Sequence, residues 1–239
     1  MKEDDALLTR RGFIRGSIGA ASSALLLKAV PSLPVPEAAA AEASTAPTYE
    51  PTYFNPDEWT FVQSAVDRLI PSNEDGPGAL DLHVPEFIDR QMETDYGHGA
   101  RWYLHAPFHP DSDFTLGYQM KFSPREMYRV AIAEINSWCR QQHGKVFAEL
   151  DAPTQDQILG LLQKGQISLP SMKANEFFIQ LLANTKEGYF ADPMYGGNRG
   201  MGSWKMIGFP GARADYKDWV TQYGKVYPLG PVSIKGEKS

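Results

Sequence analysis

The chain has 239 residues, 42% of them hydrophobic and 22% charged, enough for one domain with a sizeable core. Its formal net charge is −6, and no basic run is long enough to mark a nucleic-acid surface. The single cysteine, Cys139, excludes an internal disulfide and any iron–sulfur or thiolate zinc site built from this chain alone.

The N-terminus is the most informative segment. Thr9-Arg10-Arg11-Gly12-Phe13-Ile14-Arg15 matches the twin-arginine export pattern, with Arg10, Arg11 and Phe13 at its defining positions. A weakly apolar stretch, Gly16 to Leu27, follows and is rich in Gly, Ala and Ser. It is short of the roughly 17–25 apolar residues that a spanning helix needs, so a signal peptide is favoured over a retained anchor. Small residues at Ala38–Ala41 and Ala43 suit a signal peptidase, with cleavage near Ala41 or Ala43. Residues 1–43 are therefore expected to be a signal peptide and 44–239 the mature domain.

Downstream, residues 44–54 read as an extended leader. Asn55-Pro56-Asp57-Glu58 is a helix start, with an Asn cap, Pro at the first position and Glu at the third. Trp59, Val62, Val66, Leu69 and Ile70 follow at helical spacing, and Pro71 closes the run. Pro85 opens a second helix with Phe87, Ile88 and Met92 inward. Ser123-Pro124-Arg125-Glu126 repeats the start signature ahead of a long helix striped by Met127, Val130, Ala131, Ile135 and Trp138, with Gly144 at its end or at a break. Thr154 is the expected cap of the next helix, whose face carries Ile158, Leu161 and Leu162. A last helix is expected from Pro170, through Phe177, Phe178, Leu181 and Leu182, to just before Gly188. No alternating strand pattern of useful length occurs. The fold class is mainly α: a small irregular bundle with long aromatic-rich loops (72–83 and 96–122) and an irregular C-terminal tail.

Chemical motifs are sparse. There is no haem-attachment pattern, no nucleophile elbow, and no glycine fingerprint between a strand and a helix. The cluster Gly196-Gly197-Asn198-Arg199-Gly200-Met201-Gly202 reads as an irregular loop needing positive φ. His105 and His109 stand four apart, but Pro107 and Pro110 argue against a helix that would aim them together. An exported metal-binding protein or enzyme using His105 and His109, with Asp111 or Asp113, is the alternative to a non-catalytic reading. Cys139, beside Trp138 in the long helix, is expected to be an inert buried thiol.

Aromatics are dense in loop 96–122 and after residue 188. They either fold back on the core or form a partner patch, where Tyr, Trp and Met are enriched. Twin-arginine export carries folded cargo. On a chain without cofactor motifs it favours a bound partner, and with it the interface candidates Tyr189, Phe190, Tyr195, Asn198, Trp204 and Phe209.

Two C-terminal blocks carry a family resemblance. The stretch from Asn184 to Asn198, with Gly188-Tyr189-Phe190-Ala191-Asp192-Pro193 at its centre, resembles the signature of the gluconate 2-dehydrogenase subunit 3 family. So does Met201-Gly202-Ser203-Trp204-Lys205-Met206-Ile207-Gly208-Phe209-Pro210-Gly211-Ala212. Looser likeness runs from Phe54 to Tyr227. The resemblance implies the small subunit of a three-part, membrane-associated, FAD-dependent dehydrogenase of the periplasm. A large FAD-containing flavoprotein would oxidise D-gluconate at C2 to 2-keto-D-gluconate. A multihaem c-type cytochrome would pass the electrons towards quinone. The small subunit would act in export by the twin-arginine translocase and in maturation of the flavoprotein. The resemblance assigns no catalytic, cofactor or metal residue to this chain; FAD and haem are expected in the partner subunits.

Overall fold

A computed structural model describes residues 49–239, which lie within one compact unit, Pro47–Ser239. The twin-arginine residues Arg10, Arg11 and Phe13 and the expected cleavage positions Ala41 and Ala43 lie outside the described residues. Among those described there are six α-helices and only isolated β-bridges, so the mainly α expectation holds.

The first two start signatures fold as their chemistry requires. Helix α1 spans Pro56–Leu69. The Asn55 side chain accepts the Glu58 N–H at 3.0 Å, and the Glu58 carboxylate accepts the Asn55 N–H at 3.0 Å. Helix α2 spans Val84–Met92, with Pro85 in its first turn. Helix α3 spans Pro124–His143 and ends at Gly144, whose φ of 73° is a left-handed C-terminal cap. At its start the Glu126 carboxylate accepts both the Ser123 N–H at 2.8 Å and the Ser123 hydroxyl at 2.9 Å.

Two boundaries differ from expectation. Helix α4 spans Ala152–Gln163, and its cap is Asp151, whose carboxylate accepts the Thr154 N–H at 3.0 Å. Thr154 is the residue being capped. Helix α5 spans Ala174–Phe190. It starts four residues beyond Pro170, after a Ser168–Lys173 bridge, and runs through Gly188. Gly188 serves packing: a Cβ there would stand 2.7 Å from Phe87 Cδ1. Removing the side chain lets α2 lie against α5 and outweighs the helix cost of glycine, about 1 kcal/mol. A short helix α6, Gly202–Ile207, arises where only an irregular block was expected.

Helix α5 is the centre of the bundle, packed against α1, α2, α3 and α4. Phe61 lies with its ring centroid 4.8 Å from Phe147 and 6.3 Å from Phe177, and Tyr128 meets Phe177 edge-on at 5.5 Å. Each of these four rings is fully buried, and burial of a large apolar side chain contributes about 2–3 kcal/mol. Trp59, Val130 and Trp138, expected on apolar stripes, are only partly buried at the edge of this core. The loop after α2 folds back through Tyr96, Tyr118 and Phe122, while Tyr103 is 83% exposed. The tail closes on itself through Ala212 N–H to Val232 O at 2.7 Å.

Candidate functional site: the C-terminal signature knot

The two signature blocks are adjacent in sequence and interlocked in space. Asn198, at φ 46° and fully buried, holds the turn between them. Its side-chain nitrogen donates to Ala191 O at 2.9 Å. Its side-chain oxygen accepts the Ser203 N–H at 3.0 Å and the Ser203 hydroxyl at 2.8 Å. Three of its four side-chain hydrogen-bonding directions are therefore used within the fold. Gly197 crosses the end of α5 so closely that a Cβ would lie 2.2 Å from Gly188 O. Asp192 accepts Met194 N–H at 3.1 Å and, from the tail, Ile234 N–H at 2.7 Å.

Arg199 ties the knot to the start of α2. Its guanidinium donates to Glu86 Oε2 at 3.0 Å, and its backbone N–H donates to Leu82 O. Glu86 is buried and also meets His83 Nδ1 at 2.6 Å and, more distantly, Arg90 at 3.9 Å. The buried carboxylate is thus surrounded by cationic or polar groups, as a desolvated charge requires.

Of the six interface candidates, three are interior. Tyr189 is buried and donates its hydroxyl to Pro77 O at 2.7 Å; Asn198 holds the turn. Trp204 is buried, with its indole N–H donating to Phe190 O at 2.9 Å. These three cannot meet a partner without opening the fold; their polar atoms are engaged with partners within it. The other three reach the surface: Phe190 at 42% exposure, Tyr195 at 47% and Phe209 at 44%. Phe209 packs edge-on against Trp204 at 5.0 Å, and Phe190 edge-on against Tyr189 at 5.0 Å while its carbonyl accepts from Trp204. Met206 and Ile207, at the end of α6, are exposed at 41% and 56%. Met206 Sδ is 3.7 Å from the buried Tyr189 hydroxyl, which anchors that side. Tyr195 stands apart on its own turn and lines a different cavity.

The alternative histidine site does not assemble. His105 and His109 are both exposed in an irregular loop. Asp111 pairs with Lys173 at 3.0 Å and Asp113 accepts from Thr115, so the neighbouring acids face other partners. Among the described residues no three His, Cys, Asp or Glu side chains are gathered as a metal site would need. Cys139 is fully buried, and burial pushes its thiol up to about 11.

A further anchor escapes sequence reasoning. Asp89 is fully buried and accepts five hydrogen bonds from the leader before α1. They come from Tyr49 Oη at 2.7 Å, Thr52 N at 2.7 Å, Thr52 Oγ1 at 2.9 Å, Tyr53 N at 3.0 Å and Phe54 N at 2.9 Å. The available signal was a charged residue on the apolar side of α2, three residues before Met92 and four after Pro85.

The fold and this knot define a mainly α domain that exposes Phe190, Met206, Ile207 and Phe209 while Tyr189 and Trp204 stay buried. The chain belongs to the gluconate 2-dehydrogenase subunit 3 family, whose model matches residues 56–211 and so spans both signature blocks. No curated protein and no solved structure matches it.

Proposed function

We propose that this chain is the non-catalytic small subunit of a periplasmic, membrane-associated, FAD-dependent gluconate 2-dehydrogenase complex, and that it escorts the flavoprotein through twin-arginine export and maturation. Membership of the family makes a dehydrogenase subunit its partner. Oxidation of D-gluconate to 2-keto-D-gluconate, the FAD, and the c-type haem that takes the electrons onward belong, in this reading, to the partner chains. Membrane association is, in this reading, a property of the partner chains; no described helix of this chain is long and apolar enough to cross a membrane.

The observation that carries the proposal is the patch of Phe190, Met206, Ile207 and Phe209. These four large apolar side chains are between 41% and 56% exposed and lie inside the family-matched region, with Phe190 and Phe209 on segments tied to the buried Trp204. Such a surface costs solvation while open and repays it when covered by a partner. Rigid support beneath it keeps the ordering cost of association low. Its aromatic and methionine content is that of an interface centre.

Phe190→Ser combined with Phe209→Ser tests this assignment. Both rings are partly open to solvent, so the double variant is expected to fold with little loss of melting temperature. It should lose co-purification of the flavoprotein, because hot-spot anchors cost about 2 kcal/mol or more each when truncated. Undiminished co-purification from a correctly folded double variant would remove the patch from the interface.

A further inference from the structure

The cavity that Tyr195 lines shares no residue with the apolar patch and has different chemistry. It has a volume of about 540 Å³, within the usual range for small-molecule sites. One wall comes from the C-terminal end of α2 and the residues just past it, with Gln91 and Asp95. A second comes from the loop that follows, with Tyr96, Arg101 and Trp102, and Tyr195 closes the third side from the turn Pro193–Tyr195.

The aromatic walls are held in place from behind. The Tyr96 hydroxyl is bonded to Asn184 Nδ2 at 2.7 Å and to the Gln180 side chain, so this ring is fixed to α5. Trp102 packs against Tyr118 at 4.6 Å and meets Tyr96 edge-on at 6.2 Å. The polar groups around these walls are uncommitted. Among the described residues, neither Arg101 nor Asp95 forms an ion pair or a side-chain hydrogen bond, and the indole N–H of Trp102 has no acceptor. Arg68, Arg90, Arg125, Arg129 and Arg199 all face carboxylates. Arg213 is turned to Gly230 O and the Tyr227 ring, so among the described arginines outside ion pairs Arg101 is the one that lines this aromatic-walled cavity.

The geometry points to a binding site for a small sugar acid. Aromatic faces suit the C–H faces of a polyhydroxylated carbon chain or ring. Arg101 offers a two-pronged donor for a carboxylate. Asp95 accepts from hydroxyls, Gln91 accepts or donates, and the indole N–H donates. A purely apolar ligand would leave these groups dehydrated and unpaired. A nucleotide would bring several negative charges to one arginine beside a carboxylate, on a chain of net charge −6. A monoanionic polyol matches one cation, one anion and several neutral groups. The site is a binding site only, without a reacting group. It stands on the cavity alone and does not depend on the interface assigned above.

The test uses the mature protein by itself, titrated with D-gluconate and, separately, with D-glucose and inorganic phosphate, and read by calorimetry and tryptophan fluorescence. D-Gluconate should bind at roughly millimolar strength or better and more tightly than D-glucose by about tenfold or more, through the carboxylate on Arg101. Arg101→Ala should remove that preference while leaving the melting temperature unchanged. Trp102→Ala should abolish binding; because Trp102 also packs on Tyr118, Tyr195→Ala is the second variant, expected to weaken binding severalfold in a protein that melts normally. Absence of D-gluconate binding by the folded chain would overturn the site. So would equal affinity for glucose, preference for phosphate, or binding that survives all three substitutions. None of these results bears on flavoprotein co-purification, so failure here and failure of the escort reading are separable.

Discussion

Asp89 shows how much one residue can settle. A fully buried carboxylate in this core is tolerated because five donors converge on it, three of them backbone N–H groups. Asp89→Asn would turn one acceptor oxygen into a donor facing those donors. The expected cost is about 2–4 kcal/mol, or roughly 4–16 °C in melting temperature for a domain of this size. Early proteolytic cutting within residues 49–54 should accompany it; a variant that melts and resists protease like the parent would mean that the leader is held by its apolar contacts instead. Trp204→Ala is expected to cost about 3–5 kcal/mol in the isolated chain, because this ring is interior; a normal melt with lost partner binding would return it to the interface.

Cys139 gives a pH-dependent test at the same scale. Burial holds its thiol at about 11, against about 8.5 for a free cysteine. At pH 8 that leaves about one thiolate in a thousand, against about one in four for an unfolded chain. Native protein should therefore resist iodoacetamide while urea-unfolded protein reacts fully. Because the folded value is the raised one, the neutral thiol's contribution to stability is complete below about pH 8.5 and declines as pH climbs towards 11, where the unfolded chain sheds its proton first. Rapid native labelling at pH 8 would contradict the buried thiol.

At the scale of elements, the glycines separate two kinds of position. Gly197 lies so close to Gly188 O that a Cβ would sit at 2.2 Å, against backbone that cannot swing aside. Gly160, inside α4, has open space around its missing Cβ. Gly197→Ala should destabilise by several kcal/mol, in the manner of an overpacked core. Gly160→Ala should stabilise by about 0.4–1 kcal/mol through the lower entropy of the unfolded chain. Thermal melts of the two single variants check both signs. Helices α1 and α3 are legible because their starts carry local chemistry, Asn or Ser, then Pro, then Glu, and α2 through Pro85 and Glu86 in its first turn. The α4 cap was misplaced by three residues because Asp151 and Thr154 are both good cap formers, and only the side-chain geometry shows which one accepts. Helix α5 ran past Gly188 because tertiary packing against Phe87 overrides a local breaker. Helix α6 was invisible because six residues are too few for periodicity to register.

For the molecule as a whole, the family and the mainly α class could be read from the chain, and the site only in part. The signature blocks were recognisable as sequence, but the division of their aromatics into supports and surface was not. Tyr189, Trp204 and Asn198 differ from Phe190 and Phe209 only in where α5 and the turn at Asn198 aim them, and an irregular segment has no period from which to read that. Leader docking on Asp89 was equally hidden, since a contact across 35 to 40 positions leaves no local trace.

The escort reading turns on export of the flavoprotein together with this chain. In cells carrying Arg10→Lys and Arg11→Lys together, periplasmic and cytoplasmic fractions should be assayed for the flavoprotein and for gluconate-dependent dye reduction. Both proteins and the activity should be retained in the cytoplasm. A flavoprotein that reaches the periplasm at normal level and activity in those cells would contradict the account.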